Sequence, residues 1–271
     1  MSDKKIFFVK AHACGNDFLI VEESTAGGKH AALARKLCAR NTSVGADGIE
    51  FLERKPDGSI FLRLFNADGS EAELSGNGTR CVAAWLALSE KKNEVVLGTL
   101  GGPRSCKVIE ARGEHFLIES AMGVPAMKAR TITVAGVGEV DGADVNVGNP
   151  HIVIFVEGAD FRSHGLRWED LGALICTDAQ FPQGTNVEFV RVLGKDKIEF
   201  RIYERGVGPT ASSGTGTCAS AAAAMVLLGM ERELTAVAQG GTQRVVWPAD
   251  GKPMLLTGPA EVICTGEVFA Q

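Results

Sequence analysis

Short apolar runs closed by glycine, asparagine or aspartate recur along the whole chain. They include KIFFVKAH (5–12), DFLIVEE (17–23), SIFLRLFN (59–66), NEVVLGTL (93–100), SCKVIEA (105–111) and HFLIES (115–120). A second series follows, with HIVIFVE (151–157), TNVEFVRV (185–192), KIEFRIYE (197–204), RVVWP (244–248), MLLTG (254–258) and AEVICTGEVFA (260–270). Their Val, Ile and Phe content and their turn-forming borders predict half-buried, mostly antiparallel strands. Helical spacing is rarer and predicts four helices, over 30–41, 80–91, 167–178 and 218–230.

The order of these elements repeats. Each half runs through strands, one charged amphipathic helix, more strands, and then one Ala-rich helix that is apolar nearly all round. A helix apolar on every side belongs in an interior, here enclosed by its own sheet. The expected fold is therefore α+β, two pseudo-repeated domains of residues 1–120 and 121–259, with a C-terminal strand, 260–271, completing the first. The Gly-, Pro- and Ala-containing stretch 120–144 reads as the linker, and the cleft between the halves as the default ligand site.

The repeat is visible in the letters as well. ELSGNGTRC (73–81) and ASSGTGTCA (211–219) both carry Ser-Gly-x-Gly-Thr, 138 residues apart, each opening an apolar helix. Glycines in such a turn let backbone approach a ligand closely. The helix behind points unpaired N–H groups and the positive end of its dipole into the turn, a setting that favours an anion such as a carboxylate. By themselves Ser75 and Ser213 also read as ordinary helix N-caps.

Composition narrows the classes. At 271 residues, 45% hydrophobic, the chain can bury a sizeable core. Its net charge of −5, from 28 basic and 33 acidic residues without blocks, gives no footprint for nucleic acid or an anionic membrane and favours a small-molecule partner. No run approaches a membrane span or a secretory signal, so a cytoplasmic protein is expected. Seven scattered cysteines without C-x-x-C spacing predict reduced thiols and no metal site.

Six segments in order, GNDF (15–18), VGADG (44–48), NADGSEAELSGNGTRC (66–81), GNPH (148–151), GTNVEF (184–189) and ERGVGPTASSGTGTCA (204–219), resemble the diaminopimelate epimerase family. The resemblance implies a fold of two similar domains, each a mostly antiparallel sheet around a central helix. It implies an amino-acid substrate and proton transfer at the α-carbon without a cofactor. It further implies that Asn16, Asn66, Asn149, Asn186, Glu204 and Arg205 hold the substrate's polar groups and that the amides of Gly76, Asn77, Gly214 and Thr215 grip its α-carboxylate. His151 and Glu204 would help set the protonation of the catalytic groups. Relatives are often dimeric, so a homodimer is a further expectation.

One departure bears on the chemistry. The family carries a cysteine directly before each glycine turn, one removing the α-proton and the other delivering one to the opposite face; here Ser75 and Ser213 occupy those catalytic positions. Pro209 stands where the family usually has glutamate. Cys81 and Cys218 lie a turn or more into the helices and read as core thiols, and Cys14 as structural. Three readings remain open: an amino-acid epimerase acting on diaminopimelate, another isomerase or dehydratase on the same fold, and a non-catalytic amino-acid-binding relative. His12, His30, His115 and His164 have no assigned role.

Overall fold

A computed structural model describes residues 5–269. The outermost residues of the expected first domain, 1–4 and 270–271, lie outside the described residues. The chain divides into two compact units: one runs to Ser120 and takes in the chain from Gly258 on, and the other spans Ala121–Thr257.

In the first unit the elements are β1 (Lys5–Ala13), β2 (Asn16–Glu22), α1 (Glu23–Ala26), α2 (His30–Leu37), β3 (Gly48–Arg54), β4 (Ile60–Asn66), β5 (Glu71–Ala72), α3 (Gly76–Glu90), β6 (Glu94–Gly98), β7 (Arg104–Arg112) and β8 (His115–Gly123). The second contains β9 (Ala126–Val134), β10 (Gly138–Asn146), β11 (Pro150–Phe155), α4 (Trp168–Cys176), β12 (Asn186–Gly194), β13 (Lys197–Glu204), β14 (Gly208–Thr210), α5 (Gly214–Leu227), β15 (Glu233–Ala238) and β16 (Gly241–Val246). Strand β17 (Met254–Phe269) ends the fold.

The two units repeat one topology. In the first, β1 and β2 are antiparallel, β2 and β3 parallel across α2, β3 and β4 antiparallel, β4 and β6 parallel across α3, and β6 and β7 antiparallel. The second repeats this order, β10–β11, β11–β12 across α4, β12–β13, β13–β15 across α5, and β15–β16, with the same two pairs parallel. A parallel pair needs a crossover connection, and each helix supplies one. In the first unit β17 pairs with β1 and with β8, so the sheet returns on itself around α3.

Each sheet has two apolar faces, and its strands alternate between them. Ile49 and Phe51 of β3 pack under the outer helix α2, whereas Leu52 faces the cluster around α3. Val187 and Phe189 of β12 pack against α4, and Val190 against α5. The central helices fit inside because their side chains are small. Ala219 and Ala221–Ala224 of α5 are wholly buried, and alanine combines this small size with the highest helix propensity.

Three expectations are corrected. The helices expected from residues 80 and 218 begin four residues earlier, at Gly76 and Gly214, because Ser75 and Ser213 cap them and pull both glycine turns into the first helical turn. The stretch expected to be a linker is structured: it forms the end of β8 and the β9–β10 hairpin, whose Ile132, Val134 and Val140 enter the core under α4. The runs 254–258 and 260–270 were expected to be separate strands; through Phe269 they form the single strand β17, which continues past Gly258 and Pro259. Among the described residues, no helix is long and apolar enough to cross a membrane.

Candidate functional site

In the first unit the residues gather at the start of α3. Asn16 opens β2 directly after a two-residue hairpin loop, Cys14–Gly15, with φ of 53° and 78°. Two successive positive φ values match the twist of the flanking strands, and a cysteine in the left-handed region shows how firmly the loop is held. Asn77 sits in the first turn of α3, 2% exposed, and its Nδ2 donates to Asn16 Oδ1 at 3.1 Å. Asn16 Nδ2 donates in turn to Asp47 Oδ2 at 2.7 Å. Arg40 donates to both Asp47 and Asp17. Burial works against ionisation of Asp17, but hydrogen bonds from Arg40 and Lys10 hold its carboxyl below the usual range.

Ser75 caps α3: its hydroxyl accepts the Gly78 N–H at 3.0 Å. Gly78 has no room for a side chain, since a Cβ there would collide with the Glu50 carboxyl and press within 3.2 Å of Ser75 Cβ. Glu50 projects from β3 on the same side as Leu52, fully enclosed, with Oε1 lacking a hydrogen-bond partner. Burial pushes its carboxyl up to about 8. Asn66, at the end of β4, is engaged in its own turn, donating to Ser70 Oγ at 3.0 Å.

The second unit carries the repeat with different chemistry. Ser213 caps α5 and accepts the Gly216 N–H at 3.2 Å, and Gly216 is closed off by Glu188 as Gly78 is by Glu50. Here the buried carboxyl has a partner: Glu188 Oε1 lies 2.6 Å from His151 Nδ1, and both side chains are inaccessible. Burial pushes Glu188 up, and the neighbouring imidazole offsets part of that. His151 Nε2 meets Asn149 Oδ1 at 2.9 Å, Asn149 Nδ2 donates to Thr215 Oγ1 at 3.4 Å, and Thr215 Oγ1 lies 3.4 Å from Ser213 Oγ. A continuous polar chain thus runs from Glu188 to the Ser213 hydroxyl.

The remaining expected residues lie at the ends of β12 and β13. Asn186 Oδ1 accepts the Arg205 N–H at 2.9 Å, and its Nδ2 donates to Pro150 O. Arg205 is exposed, with Nη1 donating to Gln183 O. Glu204 Oε2 accepts the Thr210 hydroxyl at 3.1 Å, beside Pro209, which pairs with Tyr203 in the β13–β14 ladder. Gly76, Gly214 and Thr215 lie in the first turns of α3 and α5.

Sequence reasoning missed Glu50, Glu188 and Arg80. A signal for the carboxyls existed, since Glu50 and Glu188 are separated by the same 138 residues as the two serines. The thiols Cys81 and Cys218 are fully buried, and desolvation pushes Cys81 far above the ordinary thiol range. Among the described residues no group of three or more His, Cys, Asp or Glu is placed to hold a metal ion.

Known proteins share the family and the fold. The family model described as diaminopimelate epimerase matches residues 8–128 and 144–263, covering both repeats. A diaminopimelate epimerase of Pelotomaculum thermopropionicum is 36% identical over 96% of this chain and 98% of its own, and one from Synechocystis has the same figures. The fold is shared with a hydroxyproline epimerase from Agrobacterium vitis, TM-score 0.75 and 14% identity over 99% of this chain and 94% of that one. A PhzF-family phenazine biosynthesis protein of Bacillus anthracis has TM-score 0.72 and 17% identity over 98% and 99%. With both repeats matched and close to full-length relatives at this identity, the chain belongs to the diaminopimelate epimerase family of isomerases.

Proposed function

We propose that this chain binds an amino acid of the diaminopimelate class, and that the α-proton of the bound ligand is transferred far more slowly than a pair of thiols would transfer it. The observation that carries the reading is the bonding of the two serines. Each hydroxyl accepts an N–H of its own helix, and the imidazole nearest in the polar chain, His151, has both ring nitrogens engaged by Glu188 and Asn149. Serine needs a strong base beside it. An alcohol resembles water, near 15.7, against about 8.5 for a thiol, and a deficit of about 5 to 7 pKa units is about 7 to 10 kcal/mol. The helix dipole returns at most about 2 kcal/mol.

In this reading the amides of Gly76, Asn77, Gly214 and Thr215 receive the α-carboxylate, while Asn16, Asn66, Asn149, Asn186, Glu204 and Arg205 receive the substrate's other polar groups. His151 and Glu204 help set the protonation of the catalytic groups, and the two serines stand where the family's acid and base stand. The proton moves without pyridoxal phosphate or a metal. The names of the relatives support diaminopimelate as the ligand; the precursor chemistry of lysine and peptidoglycan, a cytoplasmic setting and a homodimer belong to the proposal through the family resemblance alone. Isothermal titration with meso-diaminopimelate tests the ligand class. Saturable binding is expected, with lysine, which keeps the distal amine but lacks the second carboxylate, binding much more weakly. Equal binding of lysine and diaminopimelate, or no binding of either, sinks this assignment.

A further inference from the structure

Arg80 is the fifth residue of α3 and is completely buried. Its guanidinium folds back toward the start of its own helix, Nη1 donating to Gly76 O at 3.3 Å and Nη2 to Asn77 Oδ1. The Nε–H is enclosed without a partner, and the side chain has no ion pair among the described residues. The nearby buried acid does not compensate it: Glu50 Oε1 is itself unbonded, and burial favours the neutral form of that carboxyl.

Two independent penalties fall on this cation. A guanidinium keeps its charge inside a protein, and a buried charge without a counter-ion is strongly unfavourable. It also lies in the first turns of a helix, at the positive end of the dipole, where a cation is least welcome. An anion at the α3 start relieves both at once.

Arg80 also gives direction to the amides of the site. It can only donate, and Asp47 accepts from both Asn16 and Arg40, so the series Arg80 to Asn77, Asn77 to Asn16, Asn16 to Asp47 has a single consistent polarity. Without Arg80 at one end, the Asn77 amide loses the donor that fixes its orientation. The equivalent position in the second unit, 138 residues on, is the buried Cys218, which has no guanidinium, so the device belongs to the first unit alone.

We propose that Arg80 is a positioning residue: the internal counter-charge for a ligand carboxylate held at the start of α3, and the group that fixes the orientation of Asn77 and Asn16. The inference rests on the reading that this turn receives the carboxylate of an amino acid. Its test follows the Arg80 Nε–H resonance of ¹⁵N-labelled protein during titration with meso-diaminopimelate and, separately, with sodium acetate as a bare carboxylate at constant ionic strength. A saturable shift of that resonance is expected. A shift with acetate but not with diaminopimelate overturns the substrate assignment and supports the role of Arg80; no shift with either overturns the role itself.

Two variants separate positioning from mere structure. Arg80→Met should keep or raise the melting temperature of the ligand-free protein, because it removes an uncompensated charge. It should weaken the binding of whichever carboxylate shifts the wild-type resonance by about 10- to 100-fold, the scale of a hydrogen bond to a charged group. Arg80→Lys should recover part of that affinity. A lower ligand-free melting temperature with unchanged affinity would make Arg80 a structural residue and end the proposal. If Arg80→Met fails to fold, the resonance titration and Arg80→Lys still decide it: weakened binding by the lysine variant supports the role, and wild-type affinity with an unmoved resonance refutes it.

Discussion

Glu50→Gln should change how stability depends on pH. Glu50 is enclosed between β3 and the first turn of α3, and burial raises its carboxyl from 4.5 to about 8, so the folded protein holds a proton at neutral pH that the unfolded chain has already released. Where the folded state binds more protons than the unfolded state, stability falls as pH rises. This group therefore favours the fold fully below about pH 4.5, loses that contribution progressively up to about pH 8, and is flat above. The gap between 4.5 and about 8 corresponds to about 5 kcal/mol in total, and to about 3 kcal/mol at pH 7. Glutamine has nearly the shape of the protonated acid and does not titrate. Urea denaturation followed by circular dichroism, on both proteins from pH 5 to pH 9, should give curves within about 1 kcal/mol at pH 5. They should then diverge with pH in favour of the glutamine protein. Every other ionisable side chain is common to the two proteins, so the difference isolates Glu50. A difference that does not vary with pH, or one that narrows as pH rises, would refute a buried, protonated Glu50.

Other consequences are as direct. Ser75→Ala and Ser213→Ala each remove a helix cap and should lower stability by about 1 kcal/mol, read from urea midpoints. No loss in either would mean that the capping bonds contribute nothing. Gly78→Ala sets a methyl group against the Glu50 carboxyl and should destabilise by about 1 to 3 kcal/mol, whereas in a Glu50→Ala background most of that cost should vanish. Additive effects of the two substitutions would contradict the contact.

The sequence and the structure agree where a single physical signal dominates. The Ala-rich runs were legible as interior helices because no arrangement exposing them to water on any side is favourable. Their first turns were half legible: Ser75 and Ser213 read as N-caps, yet the glycines behind them read as a turn, and the structure starts both helices directly after the caps. Strand β3 was not read from IEFLER although TNVEFVRV, with a glutamate at the equivalent place, was, and only the structure shows the Glu50 carboxyl turned inward. The β9–β10 hairpin was mistaken for a linker because Gly and Pro flank its strands, while its inward positions alternate in strand fashion. The asparagines and serines enter the candidate site through the motifs that carry the family resemblance. Arg80 was not, because an arginine at the start of an apolar helix normally reads as a solvated charge, and its burial is a tertiary fact.

Ser75 and Ser213 stand where the family resemblance places the two proton-transfer cysteines. The most direct test is α-proton exchange in deuterium oxide with LL- and meso-diaminopimelate, comparing this chain with Ser75→Cys/Ser213→Cys under identical conditions. Little or no exchange is expected from the serine protein and clear deuterium incorporation from the cysteine protein. Rapid exchange by the serine protein would contradict this expectation and would show that the hydroxyls, or groups behind them, are competent bases.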